Sequence, residues 1–102
     1  MRKTNTILHK NRQDVLNAFG KRMKVLRNQK GKKFSQEKLG EASGLHRNYI
    51  SDAERGTRNV SLVAILKIIQ GLDSTISEFF AQGFDNVDSS ALISLGDAII
   101  VE

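Results

Sequence analysis

The sequence of 102 residues contains no cysteine, no proline and no tryptophan. Without cysteine there is no disulfide framework and no thiolate metal site, and the interior of a cell is the expected compartment. The only histidines, His9 and His46, are too few for a zinc site. No apolar run approaches the roughly 20 residues that span a membrane, and the basic N-terminus lacks the apolar core of a signal peptide. These absences predict a cytoplasmic protein without a metal or a membrane contact.

Features typical of an enzyme are also scarce. The sequence has no glycine-rich loop with the spacing that cradles a phosphate, and no pair of carboxylates forms a convincing site. We therefore expect neither catalytic activity nor a cofactor.

Positive charge is abundant and is concentrated in one part of the chain. Residues 1–60 hold fifteen Lys and Arg against five Asp and Glu, whereas residues 61–102 hold one Lys and six acids. This asymmetry indicates a polyanionic partner. Because a basic face is often merely solvated, the motifs have to decide what the partner is.

Apolar spacing and capping residues predict a first helix from just after Asn11 to about Gln29. Its apolar stripe, at intervals of four, four and three residues, is typical of an amphipathic helix and comprises Val15, Phe19, Met23 and Leu26. Residues 1–13 are polar and mostly without an apolar pattern, and they are predicted to be an arm or a disordered tail.

Four shorter helices are predicted to follow. Ser35 caps the second, which carries Leu39 and Ala42 and ends at Gly44, and the third opens at His46 or Arg47 and ends before Gly56. The fourth spans 62–70, with Ser61 as its cap and Gly71 just past its end. A capping box of Thr75 and Glu78 starts the fifth. The conformation of the tail, residues 82–102, stays open between a short helix capped by Asp88 or Ser89 and a strand at "AIIV".

The stretch "SQEKLGEASGLHRNYISDAERG", Ser35 to Gly56, has a glycine inside a predicted helix, where it costs about 1 kcal/mol relative to alanine. Two short helices joined by a tight glycine turn form a helix-turn-helix, which needs a small residue at the crossing, positive φ at the turn and a few apolar positions. With Gln36 as the first position, these requirements fall on Leu39, Gly40, Gly44, Leu45, Ile50 and Ala53. We expect Gly40 to tolerate alanine with a slight gain in stability, but not leucine. An ordinary helical hairpin without a ligand is the alternative.

From about Phe19 to Phe80 the chain resembles the Cro/lambda-repressor-type (XRE-like) helix-turn-helix family. The resemblance is carried by "FGKRMKVLR", "SQEKLGEASGL", "NYISDAERG" and "TISEFF". Within the family, "HRNYISDAERGTRNVSL" is most similar to controller proteins of restriction–modification systems. The resemblance implies an all-α, five-helix, lambda-repressor-like domain of residues 14–81, between an N-terminal arm (1–13) and a C-terminal tail (82–102).

The resemblance also implies a function and partners. The implied function is that of a homodimer that binds palindromic double-stranded DNA and regulates its own promoter and that of an endonuclease. RNA polymerase is a further candidate partner. The alternatives are a phage- or plasmid-type repressor or an antitoxin on the same fold, and a protein-interaction module that binds no DNA.

A recognition helix presents its N-terminal residues to base edges in the major groove. Arg47, Asn48 and Ser51 fall at that end of helix 3, and Arg and Asn suit guanine and adenine respectively. By resemblance to the controllers, Arg58 is a second contact to a base or the backbone. The predicted contacts to the DNA backbone are Lys32, Lys33, Gln36, Lys38 and Tyr49.

Two structural roles complete the predictions. By resemblance, Glu54 on helix 3 pairs with Arg27 on helix 1 as scaffold support. Helix 4 is apolar around most of its circumference, so it needs a second partner besides the core. A second protomer is favoured, and the apolar residues of the tail are the alternative. The predicted dimer interface comprises Leu62, Ile65, Leu66, Ile68, Ile69 and Phe80.

Overall fold

A computed structural model describes residues 2–87 of the chain, with side chains from Arg12 onward. It contains α1 (Arg2–Gln29), α2 (Gln36–Ser43), α3 (Arg47–Arg55), α4 (Leu62–Gly71) and α5 (Ile76–Phe80). This part of the chain has no strand, so the prediction of an all-α, five-helix fold is confirmed. None of its helices is both long and apolar enough to cross a bilayer. The helix or strand considered for the tail lies outside the described residues.

The first helix is longer than the sequence predicted. It begins at Arg2, so the predicted start after Asn11 is wrong and residues 2–11 are helical as well. Residues 2–13 contain neither glycine nor proline. Once packing fixes the later turns of α1, extending the helix toward the N-terminus adds a hydrogen bond per residue without a new nucleation step. Its C-terminal end at Gln29 agrees with the prediction.

In the core, α3 packs against α1 and α2, α4 also packs against α2, and α5 packs against α4. On α1, Phe19 and Met23 are buried as predicted, and the ring of Phe19 lies 5.1 Å from that of Phe79 on α5. On α2, Leu39 is buried but Ala42 is exposed. The inward face of α2 is completed instead by the small residues Gly40 and Ser43, which are both buried. The buried apolar cluster comprises Phe19, Met23, Leu39, Ile50, Ala53, Ile68, Ile69, Leu72 and Phe79.

The predicted helix caps are present. Ser35 accepts a hydrogen bond from the Lys38 backbone N–H at 3.2 Å, and Ser61 accepts from that of Ala64 at 3.1 Å. Thr75 and Glu78 form the reciprocal capping box. An N-cap of this kind contributes about 1 kcal/mol, so local sequence fixes these helix starts.

Gly71 differs from its prediction, because it is the last residue of α4 and does not lie beyond it. A Cβ atom at Gly71 would lie 3.0 Å from the Cβ of Ser43. The missing side chain therefore serves the close packing of α4 on α2. The positive φ that follows α4 falls on Asp73, at 55°.

A buried arginine was missed by the sequence analysis. Arg22 on α1 donates from Nε to the carbonyl of Phe79 at 2.7 Å and from Nη2 to that of Glu78 at 2.6 Å. Carbonyls in the last turn of a helix lack intrahelical partners. Arg22 thus satisfies the end of α5 and ties that short helix to α1.

Gly40 lies where α2 approaches the start of α3, and the predicted close backbone approach is confirmed. A Cβ atom at this position would lie 2.7 Å from the carbonyl oxygen of Leu45 and 3.4 Å from the backbone nitrogen of Arg47. Because a backbone carbonyl cannot swing aside as a side chain does, this geometry argues against the expectation that alanine is tolerated.

We expect Gly40→Ala to lower the free energy of unfolding by about 1–2 kcal/mol, because the strain exceeds the gain in helix propensity. Gly40→Leu should cost more. Urea unfolding monitored by circular dichroism measures both. Glu41→Ala, at the next and exposed position, is the control and should stay within about 0.5 kcal/mol of wild type. A Gly40→Ala protein as stable as wild type would contradict this placement of the crossing.

Candidate nucleic-acid interface

The turn between α2 and α3 has the geometry that the sequence predicted. Gly44 adopts the left-handed conformation, with φ 72°, and the backbone N–H of Leu45 donates to the carbonyl of Gly40 at 3.0 Å. His46 is the N-cap of α3, since its Nδ1 accepts from the backbone N–H of Asn48 at 3.0 Å. The open choice is thereby resolved, and Arg47 is the first residue of α3.

Glu54 anchors α3 to the rest of the domain. Its carboxylate accepts from Arg27 Nε at 2.7 Å and from Arg27 Nη2 at 3.1 Å, which confirms the predicted pair and makes it bidentate. Both side chains are largely buried. Arg27 Nη1 also donates to the carbonyl of Phe34 at 3.1 Å. The pair therefore fixes α3 against α1 and against the loop that leads into α2.

Gln36, predicted to reach a phosphate, joins the same network. Its Nε2 donates to Glu54 Oε1 at 3.1 Å. This hydrogen bond links the start of α2 to α3, so Gln36 has a scaffold role that the sequence analysis missed. Its contact with DNA stays a prediction.

The outer side of α3 carries the predicted base-reading residues. Arg47 and Asn48 are exposed at its N-terminal end, and Ser51 is half-buried one turn later. The opposite side, with Ile50 and Ala53, is buried in the core. We call this outer side the recognition face, and it comprises Arg47, Asn48, Ser51, Asp52 and Arg55.

Asp52 and Arg55 were missed as members of this face, although helical spacing places them beside Asn48 and Ser51. Arg55 Nη1 donates to Ser51 Oγ at 2.8 Å, and Arg55 Nη2 pairs with Asp52. Three members of the face, Ser51, Asp52 and Arg55, are therefore connected to one another in a polar network.

Arg58, in the loop after α3, folds back beside the recognition face. Its guanidinium carbon lies 4.4 Å from the centre of the Tyr49 ring, and its Nη2 lies 3.2 Å from Asp52 Oδ2. The hydroxyl of Tyr49 accepts from the backbone N–H of Ser61 at 3.3 Å. Tyr49 thus joins α3 to the start of α4, and its ring packs against the guanidinium of Arg58.

The predicted lysine contacts lie on exposed positions. Lys32 and Lys33 are in the turn between α1 and α2, and Lys38 is on α2, 3.7 Å from Glu41. Surface pairs of this kind contribute little to stability. These lysines remain available to an anion, and their contacts with phosphate stay predictions.

The residues predicted for a dimer interface divide into two groups. Ile68 and Ile69 are 0% and 3% exposed within one protomer, so their assignment to an interface is wrong. They occupy the inward side of α4, where the core already covers them. Leu62 and Leu66 are 72% and 42% exposed on the outer side of the same helix, and Phe80 on α5 is 43% exposed.

Two further exposed apolar side chains lie close in sequence to Leu62, Leu66 and Phe80. Val63 and Ile76, which the sequence analysis did not select, are 62% and 56% exposed, while Ile65 is half-buried. The tail residues proposed as an alternative cover lie outside the described residues. We call the exposed set the apolar surface, and it comprises Leu62, Val63, Leu66, Ile76 and Phe80.

Comparisons with known proteins agree with this geometry. A family model described as helix-turn-helix matches residues 23–79. Over 68 residues the chain is 44% identical to Control protein C.MunI from Mycoplasma sp, covering 67% of this chain and 90% of that protein. Over 54 residues it is 54% identical to Control protein C.BamHI from Bacillus amyloliquefaciens, covering 53% and 65% respectively. The crystal structure of the restriction-modification controller protein C.AhdI from Aeromonas hydrophila superimposes with a TM-score of 0.59 and 51% identity, over 64% of this chain and 96% of that one.

Proposed function

This chain belongs to the helix-turn-helix family, among the restriction–modification control proteins, and on that basis we propose that it is a homodimeric transcriptional regulator of a palindromic operator. The operator lies upstream of its own gene and governs an endonuclease gene as well. RNA polymerase is the proposed second partner at that promoter, and the cytoplasm is the proposed place of action. The similarity to control proteins favours this function over the repressor and antitoxin alternatives.

The observation that carries the proposal is the way α3 presents Arg47 and Asn48. Both lie exposed in the first turn of α3, and the other side of the helix is fixed by Ile50 and by Glu54 with Arg27. A rigid helix that offers Arg and Asn at its N-terminal end suits the major groove, where these side chains bind guanine and adenine in a bidentate manner. The lysines of residues 32–38 provide charge for the flanking phosphates.

The apolar surface supports the homodimer. Large apolar side chains exposed on a small protein commonly mark an interaction site when they adjoin, and Leu62 and Leu66 are exposed one turn apart on α4. A two-fold dimer through α4 and α5 would present two recognition faces to one side of the DNA. Half-sites would then lie about 34 Å apart, which is one helical turn.

Footprinting on the DNA upstream of the gene tests this function directly. We expect two protected half-sites related by a palindrome. Affinity should fall by about 10³–10⁵ between 50 and 200 mM salt if six to ten phosphates are contacted. Equal binding to the upstream region and to a scrambled duplex would reject sequence-specific regulation, and no binding to either would favour the module that binds no DNA.

Arg47 and Lys33 should differ in the kind of binding that they contribute. Arg47→Ala should cost about 1–3 kcal/mol on the operator and far less on random DNA, because its planar fork discriminates bases. Lys33→Ala should weaken both alike and reduce the salt slope by about one unit, because lysine meets phosphate as a point charge. Titrations against operator and scrambled duplexes at several salt concentrations measure both. An equal loss on both duplexes for Arg47→Ala would show that α3 does not read bases through this residue.

A further inference from the structure

A carboxylate lies in the middle of the recognition face. Asp52 is half-buried between Ser51 and Arg55 on the outer side of α3. Its two oxygens are divided between two cations, since Oδ1 pairs with Arg55 and Oδ2 lies 3.2 Å from Arg58 Nη2. If this face meets DNA, a negative charge here repels phosphate and lowers affinity for any sequence. The ion pairs of Asp52 with Arg55 and Arg58 are favourable interactions that can offset this repulsion.

We propose that Asp52 is a positioning residue that sets sequence specificity by holding Arg58 and Arg55 in fixed geometry and withholding them from indiscriminate contact with phosphates. The inference rests on the proposed function. Arginine loses considerable rotamer freedom when it binds. A guanidinium that is already fixed loses less rotamer freedom when it binds its base. A guanidinium that is released can instead bind the phosphates of any duplex, whatever its sequence.

Arg58 is held from three sides. The ring of Tyr49 lies under its guanidinium, and Asp52 Oδ2 binds its edge. Its loop is fixed as well, because the backbone N–H and the hydroxyl of Thr57 both donate to the carbonyl of Asp52, at 3.0 and 3.2 Å. One residue therefore positions Arg58 through both its side chain and its backbone. The backbone part survives a substitution at Asp52, which isolates the role of the carboxylate.

The test is Asp52→Asn, which keeps the shape of the side chain and removes its charge. We expect affinity for a scrambled duplex to rise about 3- to 10-fold, with a salt slope steeper by one to two units, because two arginines become free to bind phosphate. Affinity for the operator should not rise, so the ratio of operator to scrambled affinity should fall about 3- to 10-fold.

The matched control is Glu41→Gln, which removes an acid that pairs with Lys38 on α2. It should raise both affinities alike and leave the ratio unchanged. If Asp52→Asn behaves in the same way as Glu41→Gln, the proposal is overturned, because Asp52 then acts only through net charge.

A second measurement requires no DNA. Tyr49 is the only tyrosine, and the chain has no tryptophan, so intrinsic fluorescence reports on the ring beneath Arg58. Arg58→Ala should increase acrylamide quenching of this fluorescence, and Asp52→Asn should move quenching toward the same value. Wild-type quenching in Asp52→Asn would show that the carboxylate does not hold Arg58 and would overturn the proposal. If quenching shifts but wild type itself does not distinguish operator from scrambled DNA, the proposed function fails while the positioning of Arg58 stands.

Discussion

Gly20→Ala should destabilise the domain by roughly 3 kcal/mol, at the upper end of the cost of overpacking. Gly20 lies within α1, where it crosses the end of α3. A Cβ atom there would lie 2.6 Å from the carbonyl oxygen of Ala53 and closer still to that of Glu54. Both neighbours are backbone atoms of a helix that the Arg27–Glu54 pair holds in place, so α1 and α3 would have to move apart.

The sign of this effect is diagnostic. By helix propensity alone, alanine in place of a helical glycine should stabilise by about 1 kcal/mol. Urea unfolding of Gly20→Ala therefore measures which effect is larger. Lys21→Ala, at the adjacent exposed position of α1, is the control and should change stability by less than about 0.5 kcal/mol. A stabilised Gly20→Ala protein would mean that α1 and α3 do not cross at this point.

The stability lost in Gly20→Ala should exceed the stability lost in Gly40→Ala. At Gly40 one backbone oxygen lies within 3.0 Å of the added Cβ, whereas at Gly20 three backbone atoms do. Sequence reasoning recognised Gly40 because the helix-turn-helix motif states where the small residue belongs. The same anomaly, a glycine inside a helix, was present in "FGKRMKVLR". It went unnoticed because no local pattern states which element will cross α1 at that position.

Local chemistry explains what could be predicted from sequence. The caps at Ser35, Ser61 and Thr75 and the turn at Gly44 each depend on residues within four positions, so the sequence contains the whole cause. The start of α1 was wrong because no residue stops the helix, and the absence of a stop signal is weak information.

Features that depend on partners distant in sequence were predicted less well. The pair of Arg27 and Glu54 was predicted only through the family resemblance, and the hydrogen bonds from Arg22 to α5 were not predicted at all. Around α4, a continuous apolar circumference cannot show which side faces the core. The structure shows that Ile68 and Ile69 face inward while Leu62 and Leu66 face outward.

That division decides which substitution on α4 can test the dimer. An aspartate at Ile68 would place a charge in the core and unfold the protomer, which says nothing about association. Leu66→Asp places the charge on the apolar surface, where the side chain is partly exposed. In a two-fold dimer both copies carry the change, so its cost counts twice. We expect the dimer to dissociate at concentrations at least 100-fold higher than wild type, which is about 2.8 kcal/mol or more, and operator affinity should fall in parallel.

Light scattering over a range of concentrations measures association, and operator titration measures its consequence for DNA. Leu66→Ala is the control at the same position. It removes contact area without adding charge, so it should weaken the dimer by much less.

Leu66→Asp should also keep its melting temperature at concentrations where both proteins are monomeric. If instead it loses stability without a change in oligomeric state, the apolar surface is covered within one protomer, as expected if the tail packs on α4. A wild-type protein that stays monomeric at high concentration would likewise reject the dimer, and α3 would then have to bind a single half-site alone.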